Sequence, residues 1–202
     1  MTKKLGVLDY NVLYLDYDKE KGFGQYKRID IWWKEINQES DLALQLVRML
    51  LASPDWSNTQ VRILYLNNDN SQKLIVEDAV RKRLEALRVD AEVEVVNNEL
   101  EKKGFYEVVK INSFEADLIL LNIPEIEEGE ERTFIGNTNA FLDVMGTTLL
   151  LKASSHFYDE EGFDPLLEMK YQGEEFASLY IEKTDAVVLG LPGYESLDKK
   201  IT

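Results

Sequence analysis

Arg28-Ile29-Asp30-Ile31-Trp32-Trp33 is the stretch that decides the fold, and an amphipathic run at 41–52 follows it. Its β-branched and aromatic residues predict a strand. Because side chains alternate between the two faces of a strand, the adjacent tryptophans place one large ring on each face. A strand that is covered on both faces and followed by a helix is typical of the first unit of a parallel α/β sheet. We therefore expect this strand at the centre of the domain.

The composition indicates a folded domain with an acidic surface. The chain has 202 residues, and its 45% hydrophobic content is sufficient for a sizeable core. Its 38 acidic and 23 basic residues give a net charge of −15. Such a charge disfavours nucleic acid and anionic lipid, so we expect no nucleic-acid partner and no direct lipid binding. There is no apolar run of about 20 residues and no signal-peptide pattern, so we expect a soluble chain.

The residue types available exclude several kinds of site. The sequence has no cysteine and a single histidine, His156. Disulfides, cysteine-zinc sites and thiol catalysis are therefore impossible, as is a multi-histidine metal site within one chain. No glycine elbow activates a serine near His156, which we expect to be a structural or surface residue. We expect a protein that is not an enzyme, with no catalytic residue, no metal site and no cofactor.

Predicted strands and helices alternate along the rest of the chain. Helices are predicted at 41–52, capped by Ser40, at 73–88, at 105–113 and at 139–145, capped by Thr138; strands are predicted at 61–66, 91–96, 117–121 and 147–152. This alternation predicts an α/β fold with a doubly wound, mostly parallel sheet. If the tryptophan strand is the first, the expected order is 3-2-1-4-5. Glu92 and Glu94 alternate with apolar residues, which favours an edge position for the third strand.

Two flanking segments extend this pattern. An apolar run at 12–15 and a glycine-containing turn at 22–24 predict an N-terminal hairpin arm that leads into the tryptophan strand. The segment 185–192 predicts one extra C-terminal strand, which extends the sheet, pairs with the N-terminal arm or belongs to a partner's sheet. We accordingly divide the chain into an α/β domain with its arm, residues 1–156, and a C-terminal extension, residues 157–202, that packs on or extends the sheet.

Asparagines follow three of the predicted strands, where ligands of open α/β sheets bind. They are Asn67, Asn68, Asn97, Asn98 and Asn122. Their amide groups could bind a nucleotide or a small polar ligand, but asparagine is also the usual residue for leaving a strand into a turn. Neither G-x-G-x-x-G nor the P-loop motif occurs. Gly136 and Gly146 only partly match the glycine spacing of the universal stress protein nucleotide motif, so we expect ordinary helix ends there.

The run 29–33 resembles the I-D-[IVL]-W-W segment of the cytoplasmic C-terminal domain of cation-chloride cotransporters, particularly the prokaryotic, sodium-potassium-chloride cotransporter-like members. Further similar segments follow in the family's order between residues 26 and 152. They are the leucine-rich helix with Pro54-Asp55-Trp56, Val61-Arg62-Ile63-Leu64, Arg88-Val89-Asp90-Ala91-Glu92-Val93, and Ser113 before Ala116-Asp117-Leu118-Ile119-Leu120-Leu121. The resemblance implies a universal stress protein-like fold, attached to a membrane-embedded transporter on its cytoplasmic side. It also implies that the domain dimerises and regulates or traffics the transporter.

These observations lead to two hypotheses. In the first, the chain is a non-catalytic regulatory and dimerisation domain of a cation-chloride cotransporter-like transporter, and its partners are a second copy and the membrane-embedded part. Trp56, Tyr106 and Phe157 are its interface candidates, because aromatic residues anchor interfaces, although each could equally pack in the core. In the alternative, the chain is a stand-alone universal stress protein-like domain that binds a nucleotide through the asparagines.

Overall fold

The part of the chain that the structure describes forms one sheet with helices on both faces. The computed structural model describes residues 10–155, Phe157 and the backbone of two later strands. The strands are β1 (Val12–Asp16), β2 (Arg28–Trp33), β3 (Gln60–Asn67), β4 (Glu92–Asn97), β5 (Leu118–Asn122), β6 (Thr148–Lys152), β7 (Ala177–Tyr180) and β8 (Ala186–Gly190). The helices are α1 (Gln38–Leu51), α2 (Lys73–Leu87), α3 (Phe105–Ser113) and α4 (Glu131–Leu142), with a 3₁₀ turn at Asn70–Gln72 before α2.

The strand order is β4-β3-β2-β5-β6-β1-β8-β7. Strands β4, β3, β2, β5 and β6 are parallel to one another. Counted from β2, their order is 3-2-1-4-5, which confirms the predicted doubly wound α/β sheet with β4 at its edge. Because the five strands are parallel, their carboxyl ends lie along one edge of the sheet. The strand order reverses between β2 and β5, the point at which such sheets bind ligands.

The prediction of an N-terminal hairpin is wrong. Strand β1 is antiparallel to β6, with Val12 opposite Lys152, and both β5 and β6 separate it from β2. The segment 17–27 instead runs along the amino-terminal ends of β6 and β5, because two side chains hold it there. Thr147 hydrogen-bonds the backbone of this segment at Asp18 and Gly22. Asp117 accepts three backbone N–H groups, from residues 25, 27 and 28.

The C-terminal strand prediction left three arrangements open, and the structure combines two of them, extension of the sheet and pairing with the N-terminal arm. Strand β8 pairs with β1 in antiparallel orientation, with Leu15 opposite Val187, and so extends the sheet through the N-terminal strand. Strand β7, which the sequence analysis did not predict, pairs with β8. The division of the chain at residue 156 stays a prediction.

The two tryptophans of β2 define two core layers. Trp33 is buried with Ile29 and Ile31 beneath α1 and α2, and Trp32 is buried on the opposite face with residues of α3 and α4. The Trp32 indole N–H donates a hydrogen bond of 2.9 Å to the Ser113 hydroxyl. The predicted coverage of both faces is confirmed.

Two predicted helix starts are wrong. Helix α1 begins at Gln38, and its cap is Asn37, whose side chain accepts from the Ser40 backbone N–H. Helix α4 begins at Glu131, so Thr138 is a buried residue within the helix and not its cap. The acidic run at 125–131 was interpreted as a loop, so the start of α4 within it was missed. The three-residue spacing of Thr138 and Phe141, typical of the inward face of a helix, did indicate a longer helix.

Asp30 is a fully buried carboxylate in the middle of the sheet, with 0% exposure. Arg62 on β3 binds it through two hydrogen bonds, Nε to Oδ1 at 2.8 Å and Nη2 to Oδ2 at 2.6 Å. The same guanidinium donates to the Asn112 carbonyl on α3 and to Glu94 on β4. The hydrogen bond to Asp30 is the main reason that the pKa of Arg62 is raised. One ion pair thus connects three strands and a helix.

We expect Arg62→Met to lower the free energy of unfolding by about 3 kcal/mol, because it leaves the Asp30 charge buried without a close partner. Arg28, whose Nε is 3.8 Å from Asp30 Oδ1, offsets only part of the lost interaction with the Asp30 charge. The matched control is Arg81→Met, which removes an exposed pair with Glu77 and should cost less than about 0.5 kcal/mol. Urea unfolding followed by tryptophan fluorescence measures both. Equal losses in the two variants would contradict the role given to Asp30.

Candidate functional site

A cleft of about 360 Å³ lies at the carboxyl ends of β2, β3 and β4. This is the edge at which open α/β sheets bind ligands. Its polar lining consists of Lys34, Asn68, Asn98, Lys102 and Lys103, and Leu66 and Phe105 form an apolar wall. The cleft is therefore the candidate functional site.

Lys34 follows β2 directly, and the alternation of side chains puts it on the Trp32 face of the sheet. Its Nζ lies 4.2 Å from the centre of the Phe105 ring, and Phe105 in turn packs edge-on against Trp32. The side chain as a whole is exposed, yet its ammonium group is partly removed from water. This burial lowers the pKa of Lys34, against the opposing effect of Glu35. A cation-π contact thus positions the ammonium group at the cleft.

Asn98 fixes the loop that carries the other two lysines. Its side chain is buried, with 4% exposure. Its amide nitrogen donates to the Asn68 side-chain oxygen and to the Lys103 carbonyl, both at 3.0 Å, and its oxygen accepts from the Lys103 backbone N–H at 2.9 Å. Lys102 adopts a left-handed conformation with φ of 45°. Lys103 forms an ion pair of 2.6 Å with Glu101, and that hydrogen bond raises its pKa.

The five predicted asparagines do not form one site. Asn68 and Asn98 line the cleft. Asn67 bonds the backbone of Asp69, and Asn97 accepts from the Glu99 N–H, so both stabilise local turns. Asn122, at the end of β5, has a buried side-chain oxygen without a hydrogen-bond partner among the described residues.

The three aromatic interface candidates have different environments. Trp56 is 5% exposed, and its ring packs edge-on against Phe23 and Tyr26 at 5.5 and 4.9 Å. Trp56 therefore packs in the core, which is the alternative that the sequence analysis left open for it. Tyr106 is partly buried; its hydroxyl hydrogen-bonds Thr138 at 2.8 Å, and burial raises its pKa. Phe157 is also partly buried, against the same core cluster as Trp56. His156 lies outside the described residues.

The lysines of the cleft were missed in the sequence. Lys34 is the first residue after a strand, and Lys102 and Lys103 stand directly before a helix. Basic residues at the ends of strands and helices are unusual in a chain of net charge −15 and could have indicated the cleft. The sequence analysis considered only the asparagines at these positions. The contact between Lys34 and Phe105 joins residues far apart in the chain, so local spacing does not indicate it.

Within residues 10–155, no three acidic or histidine side chains come close enough together to hold a metal ion. No helix in the part of the chain that the structure describes has the length and apolar content needed to cross a membrane.

Comparisons with known proteins find similarity to solved structures but no match to a family model or a curated sequence. A crystal structure of a universal stress protein in complex with cAMP is similar in fold, with 14% identity and a TM-score of 0.47. The similarity covers 65% of this chain and 100% of that one. The cAMP belongs to that protein.

We expect Asn98→Ala to destabilise the protein by about 2 kcal/mol, because it removes three hydrogen bonds and leaves partly buried backbone groups of Lys103 unpaired. Amide hydrogen exchange at Lys103 should accelerate, since its N–H loses its acceptor. The control is Asn97→Ala, an exposed neighbour with one local turn bond, which should change stability by less than about 0.5 kcal/mol. Unchanged exchange at Lys103 would refute the role of Asn98 in holding the loop.

Proposed function

We propose that this chain is a non-catalytic regulatory and dimerisation domain of a cation-chloride cotransporter-like membrane protein, on the cytoplasmic side of the membrane. Its proposed partners are a second copy of the domain and the membrane-embedded part of the same transporter. The observation that carries the proposal is the direct contact among the segments that resemble that family.

Three contacts join those segments. Asp30 of the tryptophan strand binds Arg62 of the second segment. The indole N–H of Trp32 donates a hydrogen bond to the Ser113 hydroxyl. The carboxylate of Asp117, four residues after Ser113, accepts a hydrogen bond from the backbone N–H of Arg28. The segments that resemble the family therefore make specific polar contacts with one another. Their similarity to the family is not limited to the spacing of apolar residues. This supports an origin of the resemblance in a common structural unit.

Exposed apolar side chains of α3 and α4 support pairing of two copies. Ile111 and Phe114, at the end of α3, are 59% and 54% exposed, and Ile135 on α4 is 54% exposed. Tyr106 stacks on Phe141 at 4.7 Å and so holds the two helices together. Contiguous exposed apolar patches mark protein interfaces, so these side chains are the residues through which two copies would pair. A dimer that is stable in isolation should bury at least about 1,000 Å².

We expect the purified chain to dimerise as its concentration rises from micromolar to near-millimolar. Ile111→Asp should raise the dimer dissociation constant at least about tenfold, because it places a charge in the apolar interface. The matched control, Leu74→Asp, alters an equally apolar residue that is 77% exposed on the opposite helical layer and should have no effect. Light scattering measures all three proteins. A monomer at every concentration, or equal effects of the two substitutions, would contradict pairing through α3 and α4.

The attachment to a transporter has a separate test. We expect the coding DNA to continue in frame upstream of Met1, through several segments of about 20 apolar residues each. Sequencing the locus measures this directly. A stop codon immediately upstream of Met1 would contradict the transporter proposal and favour the stand-alone alternative.

A further inference from the structure

The outer face of α4 carries no charge along most of its length. Residues 133–142 contain no Asp, Glu, Lys or Arg, although 30% of the whole chain is charged. Ile135, Gly136, Asn139 and Ala140 are exposed, Ile135 by 54%. Helix α2, on the opposite layer, has an ordinary surface pattern, with seven charged residues among its 15. Because charged residues are depleted at the centre of protein interfaces, the outer face of α4 has the composition of such a centre.

Two charged residues stand at the ends of this face, and each opposes the dipole of its own helix. Arg132 lies in the first turn of α4, and Asp143 is the C-cap. A helix favours negative charge at its amino end and positive charge at its carboxyl end, so both residues are at the unfavourable end. Helix α1 shows the favourable arrangement, with Glu39 and Asp41 in its first turn and Arg48 in its last.

The chain does not neutralise these two charges through ion pairs. Among residues 10–155, neither Arg132 nor Asp143 forms an ion pair, although both are exposed. Arg81, on the exposed face of α2, in contrast pairs with Glu77 at 2.8 Å. Glu131 precedes Arg132, but it is partly buried and its carboxylate accepts a backbone N–H of the preceding loop. In the part of the chain that the structure describes, the end charges of α4 therefore have no contact with an opposite charge.

The spacing of the two charges makes the face complementary to a second copy of itself. Positions 132 and 143 are 11 residues apart, which is close to three helical turns. Arg132 and Asp143 therefore lie on the same side of α4, about 16 Å apart along its axis. If two such helices pack antiparallel about a twofold axis midway between the charges, Arg132 of each copy faces the partner's Asp143. Gly136 then lies opposite the partner's Asn139, and these short side chains let the helices approach closely.

We infer that two copies of the chain pair through α4 in antiparallel orientation, with an ion pair between Arg132 and the partner's Asp143 at each end. Each charge then also lies beside the oppositely charged end of the partner's helix, so a placement that is unfavourable in one copy becomes favourable in the dimer. Ile111 and Phe114 of α3 add exposed apolar surface on the same helical layer. The inference rests on the proposed dimerisation and specifies its geometry.

Charge reversal tests this geometry, with light scattering of the full chain as the measurement. Arg132→Glu and Asp143→Arg should each raise the dimer dissociation constant at least about tenfold, because each places like charges together at both ends of the helix pair. The double variant re-forms both ion pairs with reversed sign and should dimerise to within about threefold of the unaltered chain. Arg81→Glu, on the exposed face of α2, is the matched control and should leave dimerisation unchanged.

Mixing the two single variants separates a specific effect from misfolding. An equimolar mixture of Arg132→Glu and Asp143→Arg should dimerise at a concentration at which each alone is a monomer, because only the mixed pair has opposite charges at both ends. Neither substitution should lower the thermal midpoint of the monomer, since each new charge favours the dipole of α4. A mixture that stays monomeric, or single variants that dimerise like the unaltered chain, would overturn the inference.

The same experiment distinguishes this inference from the proposed dimerisation. If Ile111→Asp weakens the dimer but the charge reversals do not, the antiparallel α4 pair is wrong and dimerisation through the α3 and α4 layer stands. If the unaltered chain is a monomer at every concentration, both fail.

Discussion

The buried carboxylate of Asp30 imposes the strictest requirement on the centre of this fold. A charge without solvent is tolerated only beside a partner of opposite charge, and Arg62 occupies the position opposite it on the neighbouring strand. A slip of one residue between β2 and β3 would turn the Arg62 side chain to the other face of the sheet. The ion pair therefore fixes the register of the two central strands. Through the Asn112 carbonyl it also fixes where α3 crosses them.

Much of the fold could be predicted because its parallel strands carry unmistakable apolar runs. Helices α2 and α3 were predicted to within one residue, since their periodicity is regular and their ends coincide with polar residues. The prediction failed for β1, whose neighbour is chosen by contacts far along the chain. Thr147 and Asp117 hold the loop that follows β1, and neither residue differs in local pattern from an ordinary polar residue.

The location of the candidate site could be predicted from the sequence, but the side chains that line it could not. The carboxyl ends of the strands follow from the topology, and the cleft lies there. Which side chains enter the cleft depends on competing hydrogen bonds, and Asn67 and Asn97 use theirs in local turns. Asn98 acts on the cleft indirectly, by closing the loop that presents Lys103. Sequence spacing alone cannot distinguish an asparagine that binds a ligand from one that shapes a loop.

The position of β1 between β6 and β8 has a consequence for biosynthesis. Strand β1 is made before the other strands of the sheet, but its two partners, at Thr148–Lys152 and Ala186–Gly190, are made after all the parallel strands from β2 to β5. At roughly 5–20 residues per second, the nascent chain therefore carries β1 unpaired for several seconds. The parallel strands β2, β3 and β4, which pair with one another, are all made in that interval. Strand β1 is thus expected to join the sheet late, after β6 has been made.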